Sequence, residues 1–249
     1  MVYQEFQPDS RLAGFVSNYW WFENTTPQPL DFTILPDGCF DLIFHLKAGK
    51  IIEASLTGLW TRPVDVTIEP GSQSFAIRFR LLAVDYLFRQ SIAAICDGER
   101  SVATDYWEAH QVDMTNQPAA VAHFDQVMVA ILAGGKPVDA KKQQLFDLLH
   151  QTGGEQTIDW YACQVFWSAR QINRYCNERF GISLKQYCTI LKLFASFRQI
   201  RKGQLYPAGN FFDQSHFIKY VRKLTGCSPL ELYQNKNDRF LQLKILPAE

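Results

Sequence analysis

The spacing of apolar residues changes near residue 80 of this 249-residue chain, and this change most constrains its fold. Before that point, Arg78 and Arg80 alternate with Ile77 and Phe79, the period of two that is typical of a strand with one buried face. From Leu82 onward, apolar residues recur at helical spacing. The pattern therefore predicts an α+β chain, with a β-rich first part and a helical second part.

The first part is predicted to be a small, cupin-like β-sandwich or barrel, because several short strands are separated by turn signals. The strands are expected at Asp31–Leu35, Phe40–Leu46, Ile51–Leu56, Pro63–Ile68 and Phe75–Phe79. Helices are expected at Leu82–Ile95 and Ala119–Leu132. Two glycines and a proline at 134–137 then break the chain. We therefore expect one domain at 1–135 and a second at 142–249.

The two parts carry opposite charges, although the whole chain has a net charge of zero. Residues 1–141 contain 10 Lys and Arg against 17 Asp and Glu, and residues 142–249 contain 15 against 8. Within 168–236 the count is 12 basic against 3 acidic residues. A basic helical region is typical of proteins that bind the phosphate backbone of nucleic acids, and it would also suit an acidic protein partner.

Several classes of protein lack their usual signals in this sequence. There is no secretory signal and no apolar run near the ~20 residues that cross a bilayer, so we expect a cytoplasmic protein with no membrane partner. The six cysteines form no C-x-x-C pair, which disfavours a disulfide framework or a zinc site. No catalytic nucleophile motif, phosphate loop or dinucleotide motif occurs. We therefore predict no enzymatic activity, no catalytic residue, no cofactor and no metal.

Two segments of the helical part have the pattern of a helix pair joined by a tight turn. In the first unit, Thr157–Gln164 precedes Ser168–Arg179, with Ser168 as the N-cap and Gly181 after the second helix. A long helix is then expected at Ser183–Lys202. The inner face of the first unit's second helix is formed by Ile172, Tyr175 and Cys176, and its outer face by Arg170, Asn173 and Arg174.

The second unit contains a helix at Asp213–Thr225, with Asp213 as its N-cap and Gly226 at its end. Ser228 and Pro229 then begin a last helix that runs to Asn235. The outer face is formed by Gln214, Ser215, His216, Lys219 and Lys223.

These two units resemble the DNA-binding part of the AraC/XylS family of bacterial regulators. The resemblance rests on A-x₅-S-x₃-I-x₈-G from Ala162 to Gly181 and on D-Q-S-H-F-I-x₇-G-x-S-P from Asp213 to Pro229. It implies two helix-turn-helix units that bind double-stranded DNA and are joined by a linker helix. The DNA-binding residues that it implies are Ser168, Arg170, Asn173, Arg174, Gln214, Ser215, His216 and Lys219.

The first part resembles, more weakly, the β-rich sensor domains that precede such units, through the segments at 34–43 and 75–80. This resemblance implies a small-molecule effector in that domain, a homodimer or both, and RNA polymerase is a further candidate partner. The residues leave open whether such a regulator activates or represses. An alternative is that the β-domain is a small-molecule-binding protein or an enzyme, and that the helical part is an interaction module that has lost DNA binding.

One departure from the family pattern and three side-chain groups leave further alternatives open. Pro207 interrupts the helix expected ahead of the second unit's recognition helix, so its DNA contact is less firmly implied. The aromatic run at 19–22 suits the core better than a ligand pocket. Arg78 and Arg80 suit outward-facing strand positions better than an anion site. Asp37, Asp41 and His45 could suggest a metal or acid–base site, although turn chemistry explains the carboxylate in Pro-Asp-Gly.

Overall fold

The computed structural model describes residues 1–205 and 214–234. Its β-strands all lie before residue 103, and its longer helices follow from residue 117. The prediction of an α+β chain with a β-rich first part and a helical second part is confirmed.

The β-rich part consists of a six-stranded antiparallel sheet and a separate two-stranded sheet. The strand order of the larger sheet is β1-β2-β7-β4-β5-β8, and the smaller sheet pairs β3 with β6. The strands are β1 Val2–Phe6, β2 Val16–Glu23, β3 Leu30–Ile34, β4 Phe40–Lys47, β5 Lys50–Thr57, β6 Val64–Ile68, β7 Gln73–Phe79 and β8 Glu99–Val102.

One face of the larger sheet packs against helix α1 (Gln117–Ala133), which begins at an Asn116 N-cap. The strict alternation along β4 turns every second side chain toward this helix. Phe124 of α1 stacks on Phe44 and Phe75, with ring centroids 5.4 and 5.9 Å apart. The principal core therefore forms between the sheet and the chain that follows it.

The other face of the larger sheet packs against the two-stranded sheet, with Phe22 edge-on to Phe32 at 5.7 Å. The aromatic run at 19–22 is divided between the two faces of β2. Tyr19 and Trp21 belong to the principal core, whereas Phe22 and Trp20 belong to the smaller cluster between the sheets. The core interpretation of this run is therefore confirmed for its three fully buried rings, and Trp20 donates from its indole to Asp41.

The prediction that Arg78 faces solvent is wrong. Its side chain is only 12% exposed, and its Nε lies 3.3 Å from Asp41 and 3.6 Å from Asp37. Arg78 of β7 lies opposite Asp41 of the neighbouring strand β4, and Trp20 donates to the same Asp41. The predicted strand alternation is therefore correct, but the face of the sheet that carries Arg78 is also covered by protein. Burial raises the pKa of Asp37, against the opposing charge of Arg78. His45, in contrast, contacts Ser74.

The helix predicted at 82–95 is largely wrong. The structure has a single helical turn at Val84–Phe88, ended by Arg89 at a positive φ of 56°, and another turn at Ala93–Ile95. The buried residues of this segment do not lie on one helix face, because Leu82, Ala83, Val84, Leu87, Phe88 and Ile92 are all buried. Ile92 also donates its N–H to the carbonyl of Arg179 on α4. Tertiary packing between the sheet and the helical part therefore overrides the helical spacing.

The helical part follows the sequence prediction to within one or two residues where it is described. Its helices are α2 Ala140–Gln151, α3 Ile158–Val165, α4 Ala169–Phe180, α5 Leu184–Arg201, α6 Gln214–Thr225 and α7 Pro229–Tyr233. The break expected at 134–137 lies between α1 and α2. The buried core nevertheless continues across it, because one cluster includes residues of the large sheet, α1 and α2 to α5.

A cluster around Asp85 joins the two parts of the chain. The Asp85 carboxylate is 9% exposed and accepts hydrogen bonds from Lys142 of α2 at 2.5 Å and from Arg179 of α4 at 2.6 Å. It also accepts one from the Tyr175 hydroxyl at 2.8 Å. Lys142 lies 4.6 Å from the centroid of the Tyr175 ring. These four residues, the Asp85 cluster, attach the first two-helix unit to the β-rich part.

A half-buried histidine, His150, lies near the C-terminal end of α2, with its Nε2 atom buried. The Nε2 atom of His150 has no hydrogen-bond partner among the described residues. Burial, reinforced by the positive charge of Arg80, lowers the pKa of His150 to about 4, although Asp147 acts in the opposite direction. The folded protein therefore holds this imidazole neutral.

We predict that Asp85→Asn destabilises the protein by about 2 kcal/mol. The change leaves two cations beside a neutral amide, but Lys142 and Arg179 are 23% and 26% exposed, so water offsets part of the loss. Urea unfolding at pH 7 measures the effect. The exposed Asp105→Asn is the control, with an expected change within about 0.5 kcal/mol. Equal stabilities for the two variants would contradict the role given to Asp85.

We also predict that acid destabilises the protein through His150. The pKa of His150 is lower in the folded state than in the unfolded state. The contribution of the neutral imidazole to the free energy of unfolding is therefore fully present above about pH 6.5 and is lost as the pH falls toward 4. Between pH 7 and pH 5 this group lowers the free energy of unfolding by about 2 kcal/mol. His150→Gln, compared with wild type by urea unfolding at both pH values, should remove that difference. Asp37 is present in both proteins, so its titration cancels in the comparison. The same pH dependence of unfolding in wild type and His150→Gln would contradict the prediction.

Candidate nucleic-acid interface

The first unit is built by capped helices that meet at a tight turn. Thr157 accepts the N–H of Trp160 at the start of α3. Phe166 adopts a positive φ of 53° where α3 ends, and Trp167 donates its N–H to the carbonyl of the buried Ala162. Ser168 then forms a capping box with Gln171 at the start of α4. The Ser168 N-cap is confirmed.

Helix α4 ends at Gly181, where two requirements coincide. Gly181 has a φ of 80°, the left-handed conformation that favours glycine at a helix end. A Cβ at this position would lie 2.9 Å from the carbonyl oxygen of Ala93. The end of α4 is therefore in direct contact with the β-rich part.

The two faces of α4 differ as the sequence predicts. Ile172, Cys176 and Phe180 are buried, and Tyr175 belongs to the Asp85 cluster. The opposite face is exposed and includes Arg170, Gln171 and Arg174. A rigid helix thus presents two guanidinium groups to solvent while its other face is held by the core.

Arg174 is available to a ligand in this structure. Its side chain is 72% exposed, and its nearest carboxylate is Glu178 at 3.9 Å, itself 67% exposed. An exposed pair of this length contributes little free energy, so exchanging Glu178 for a phosphate or a guanine edge costs little. No acidic group restrains Arg170 among the ion pairs of the described residues.

Asn173 is placed differently from the two arginines. It is half-buried, its amide donates to the carbonyl of Ala169, and its side-chain oxygen accepts the N–H of Leu184. This side chain therefore connects α4 to the first residue of α5. Its DNA contact stays a prediction, and making it would require breaking one of these bonds.

Helix α5 links the two units. Ser183 caps it through a second capping box with Gln186, and its 18 residues span about 27 Å. Several cations are exposed along it, namely Lys185, Arg198, Arg201 and Lys202. Arg179 of α4 is only 26% exposed, and its guanidinium donates to the Asp85 carboxylate.

The second unit is described from residue 214. Phe217 and Val221 of α6 are buried, and the Tyr220 hydroxyl donates to the carbonyl of Thr189 on α5. A third capping box, between Ser228 and Glu231, begins α7. Helix α6 therefore has an apolar face that belongs to the same buried cluster as residues of α5.

The predicted DNA-contacting face of α6 is observed in part. Ser215 and Lys219 are exposed on the face opposite the buried residues, and Gln214 is exposed at the first residue of the helix. The side chain of His216, the N-cap predicted at Asp213 and the interruption predicted at Pro207 lie outside the described residues. All eight predicted DNA contacts remain predictions.

Residues 1–205 and 214–234 contain neither a candidate metal site nor a helix able to span a membrane. No group of three or more His, Cys, Asp or Glu is placed to hold a metal ion in these ranges. No helix within them has both the length and the apolar character needed to cross a membrane.

The Asp85 cluster was missed by sequence reasoning. Asp85 and Tyr175 are 90 residues apart in the chain, and no sequence motif connects them. The local signal is an acidic residue with apolar residues on either side, from Leu81 to Val84 and from Tyr86 to Phe88. Only the packed structure shows the cations that neutralise it.

Comparisons with known proteins give a domain match and distant structural similarity. A family model described as a domain of unknown function (DUF6597) matches residues 4–100, which extend from within β1 to the start of β8. No curated protein matches the chain.

Solved structures of ToxT from Vibrio cholerae are similar to this chain. One is 8% identical and covers 86% of this chain and 97% of that chain with a TM-score of 0.43. That of strain O395 is 8% identical and covers 98% and 97% with a TM-score of 0.42. An unsaturated fatty acid-bound ToxT is 7% identical and covers 88% and 94% with a TM-score of 0.39. The fold assignment therefore rests on this chain's own strands and helices.

Proposed function

We propose that this chain is a sequence-specific, DNA-binding transcription regulator of the AraC/XylS type. The observation that carries the proposal is the outer face of α4, where Arg170 and Arg174 are exposed while the opposite face is buried. Arginine matches the acceptors of guanine in the major groove, and an α-helix fits that groove. The regulator acts by binding rather than by catalysis.

Charge supports the same proposal. Cations are exposed on α4, on the linker helix α5 and on α6, and the exposed acidic groups among them are few. Phosphate contacts would position the two helices, and base contacts would specify the sequence. On α4 the exposed Ser168 and on α6 the exposed Gln214, Ser215 and Lys219 extend the proposed contact surface, with His216 and Asn173 as further candidates.

The β-rich part is proposed to be the input of the regulator. It contacts the end of α4 directly, through the Asp85 cluster and Ser91, whose hydroxyl donates to the carbonyls of Glu178 and Arg179. A change in this part would therefore reach the proposed DNA-reading helix through a short packed path. We propose that a small-molecule effector, a second copy of the chain in a homodimer, or RNA polymerase acts there, and that the protein works in the cytoplasm.

The test of this function is the selection of bound sequences from a random pool of double-stranded DNA. We expect one enriched motif, with an affinity that falls steeply as salt rises. If the protein neutralises about six phosphates, its affinity should fall about a thousandfold as salt rises from 50 to 200 mM, because the release of counterions is less favourable at high salt. Absence of binding at low salt, or of any enriched motif, would refute the proposal.

We predict that Arg174→Ala removes the preference for one base pair of the selected motif. Loss of the guanidinium should weaken the free energy of binding to the preferred sequence by about 1–3 kcal/mol and that to random DNA by much less. Fluorescence anisotropy with both DNAs measures the difference. Arg62→Ala, an exposed arginine on the β-rich part, is the matched control and should leave both affinities unchanged. Equal losses in the two variants would contradict base reading by Arg174.

A further inference from the structure

Leu35, a residue of the β-rich part, belongs to a buried cluster formed with the linker helix α5 and the second unit. It directly follows β3, is 1% exposed, and belongs to a cluster whose other buried members all come from α5, α6 and α7. Those members are Leu193, Phe197, Ile200, Phe217, Val221 and Leu232. Among the described residues, the core around α6 is therefore shared with the β-rich part.

The segment after Leu35 is attached on both sides. The carbonyl of Gly38 accepts a hydrogen bond from Tyr187 of α5, and a Cβ on Gly38 would lie 3.1 Å from Leu191. Asp37, between these residues, lies 3.6 Å from the buried Arg78 of β7. The turn that carries Leu35 is thus tied to the sheet by an ion pair and to α5 by close packing.

The first unit is attached to the same β-rich part at another place. The Asp85 cluster and Ser91 hold the end of α4, as described above. The two proposed recognition helices, α4 and α6, are therefore connected in two ways. One connection runs through α5, and the other runs through the β-rich part.

We propose that Leu35 is a positioning residue that sets the placement of α6 relative to α4, and so the half-site spacing that the protein accepts on DNA. The inference rests on the proposed function. Helix α5 gives one connection between the units, and the attachment at Leu35 gives a second one. Two connections at separate points restrain the rotation of one unit against the other. Neither α4 nor α6 would lose a DNA-contacting side chain if Leu35 were shortened.

The test uses the full-length protein and the selected DNA site, with spacers inserted between the half-sites. About five base pairs move the second half-site to the opposite side of the duplex. We expect wild type to lose about a hundredfold in affinity with the longest spacer and about tenfold with one or two base pairs. In Leu35→Ala, binding to the native site weakens, and the penalty for one or two inserted base pairs falls to about twofold because α6 is released.

Leu232→Ala is the matched control, because it shortens the same residue type in the same cluster but leaves the β-rich part attached. It should weaken binding to every site and keep the wild-type dependence on spacing. Identical spacing profiles for the two variants would show that Leu35 only fills the core. A wild-type protein indifferent to spacing would also overturn the proposal.

Hydrogen exchange gives a readout that does not depend on DNA. In Leu35→Ala, amides of α6 should exchange about tenfold faster, while those of β4 and β7 keep wild-type rates. Unchanged exchange in α6 would refute the attachment. If no variant binds DNA while α6 exchanges faster, the proposed function fails and the attachment through Leu35 stands.

Discussion

The carboxylate of Asp85 is the interaction on which the arrangement of the molecule depends. A carboxylate that is 9% exposed is stable in its charged form only when several donors replace water. Here the donors come from α2 and from two positions on α4, so the charge is satisfied only when the β-rich part and the first unit are packed together. The same contact turns Tyr175 and Arg179 inward, which leaves Arg170 and Arg174 on the outer face. Orientation of the proposed DNA-reading surface is thus a consequence of neutralising one buried charge.

Two attachments of different chemistry hold the helical part. At the Asp85 cluster the contact is ionic and directional, whereas at Leu35 it is apolar and depends on shape. The position of the second unit therefore depends on side-chain packing around Leu35, Phe217 and Val221.

Local signals made the helices predictable and long-range contacts made the junction unpredictable. Ser168, Ser183 and Ser228 each begin a helix through a capping box that can be recognised in the sequence. Five strands were predicted nearly at their observed positions, but β1, β2 and β8 were not, since their apolar residues alternate less regularly. The segment at 82–95 was predicted as a helix because its spacing is helical, and packing against α4 overrode that preference. Arg78 was assigned to solvent because a strand sequence does not show that a second sheet covers it.

Gly181 shows how closely the two parts have become dependent on each other. One residue both ends α4 and makes room for the backbone at Ala93, so any side chain there would disturb the helix end and the junction at once. Proteins assembled from interchangeable modules avoid such shared positions. Grafting this helical part onto a different β-rich domain would require a matching concavity opposite residue 181. The pairing is therefore a constraint on how this chain could be recombined, as much as on how it folds.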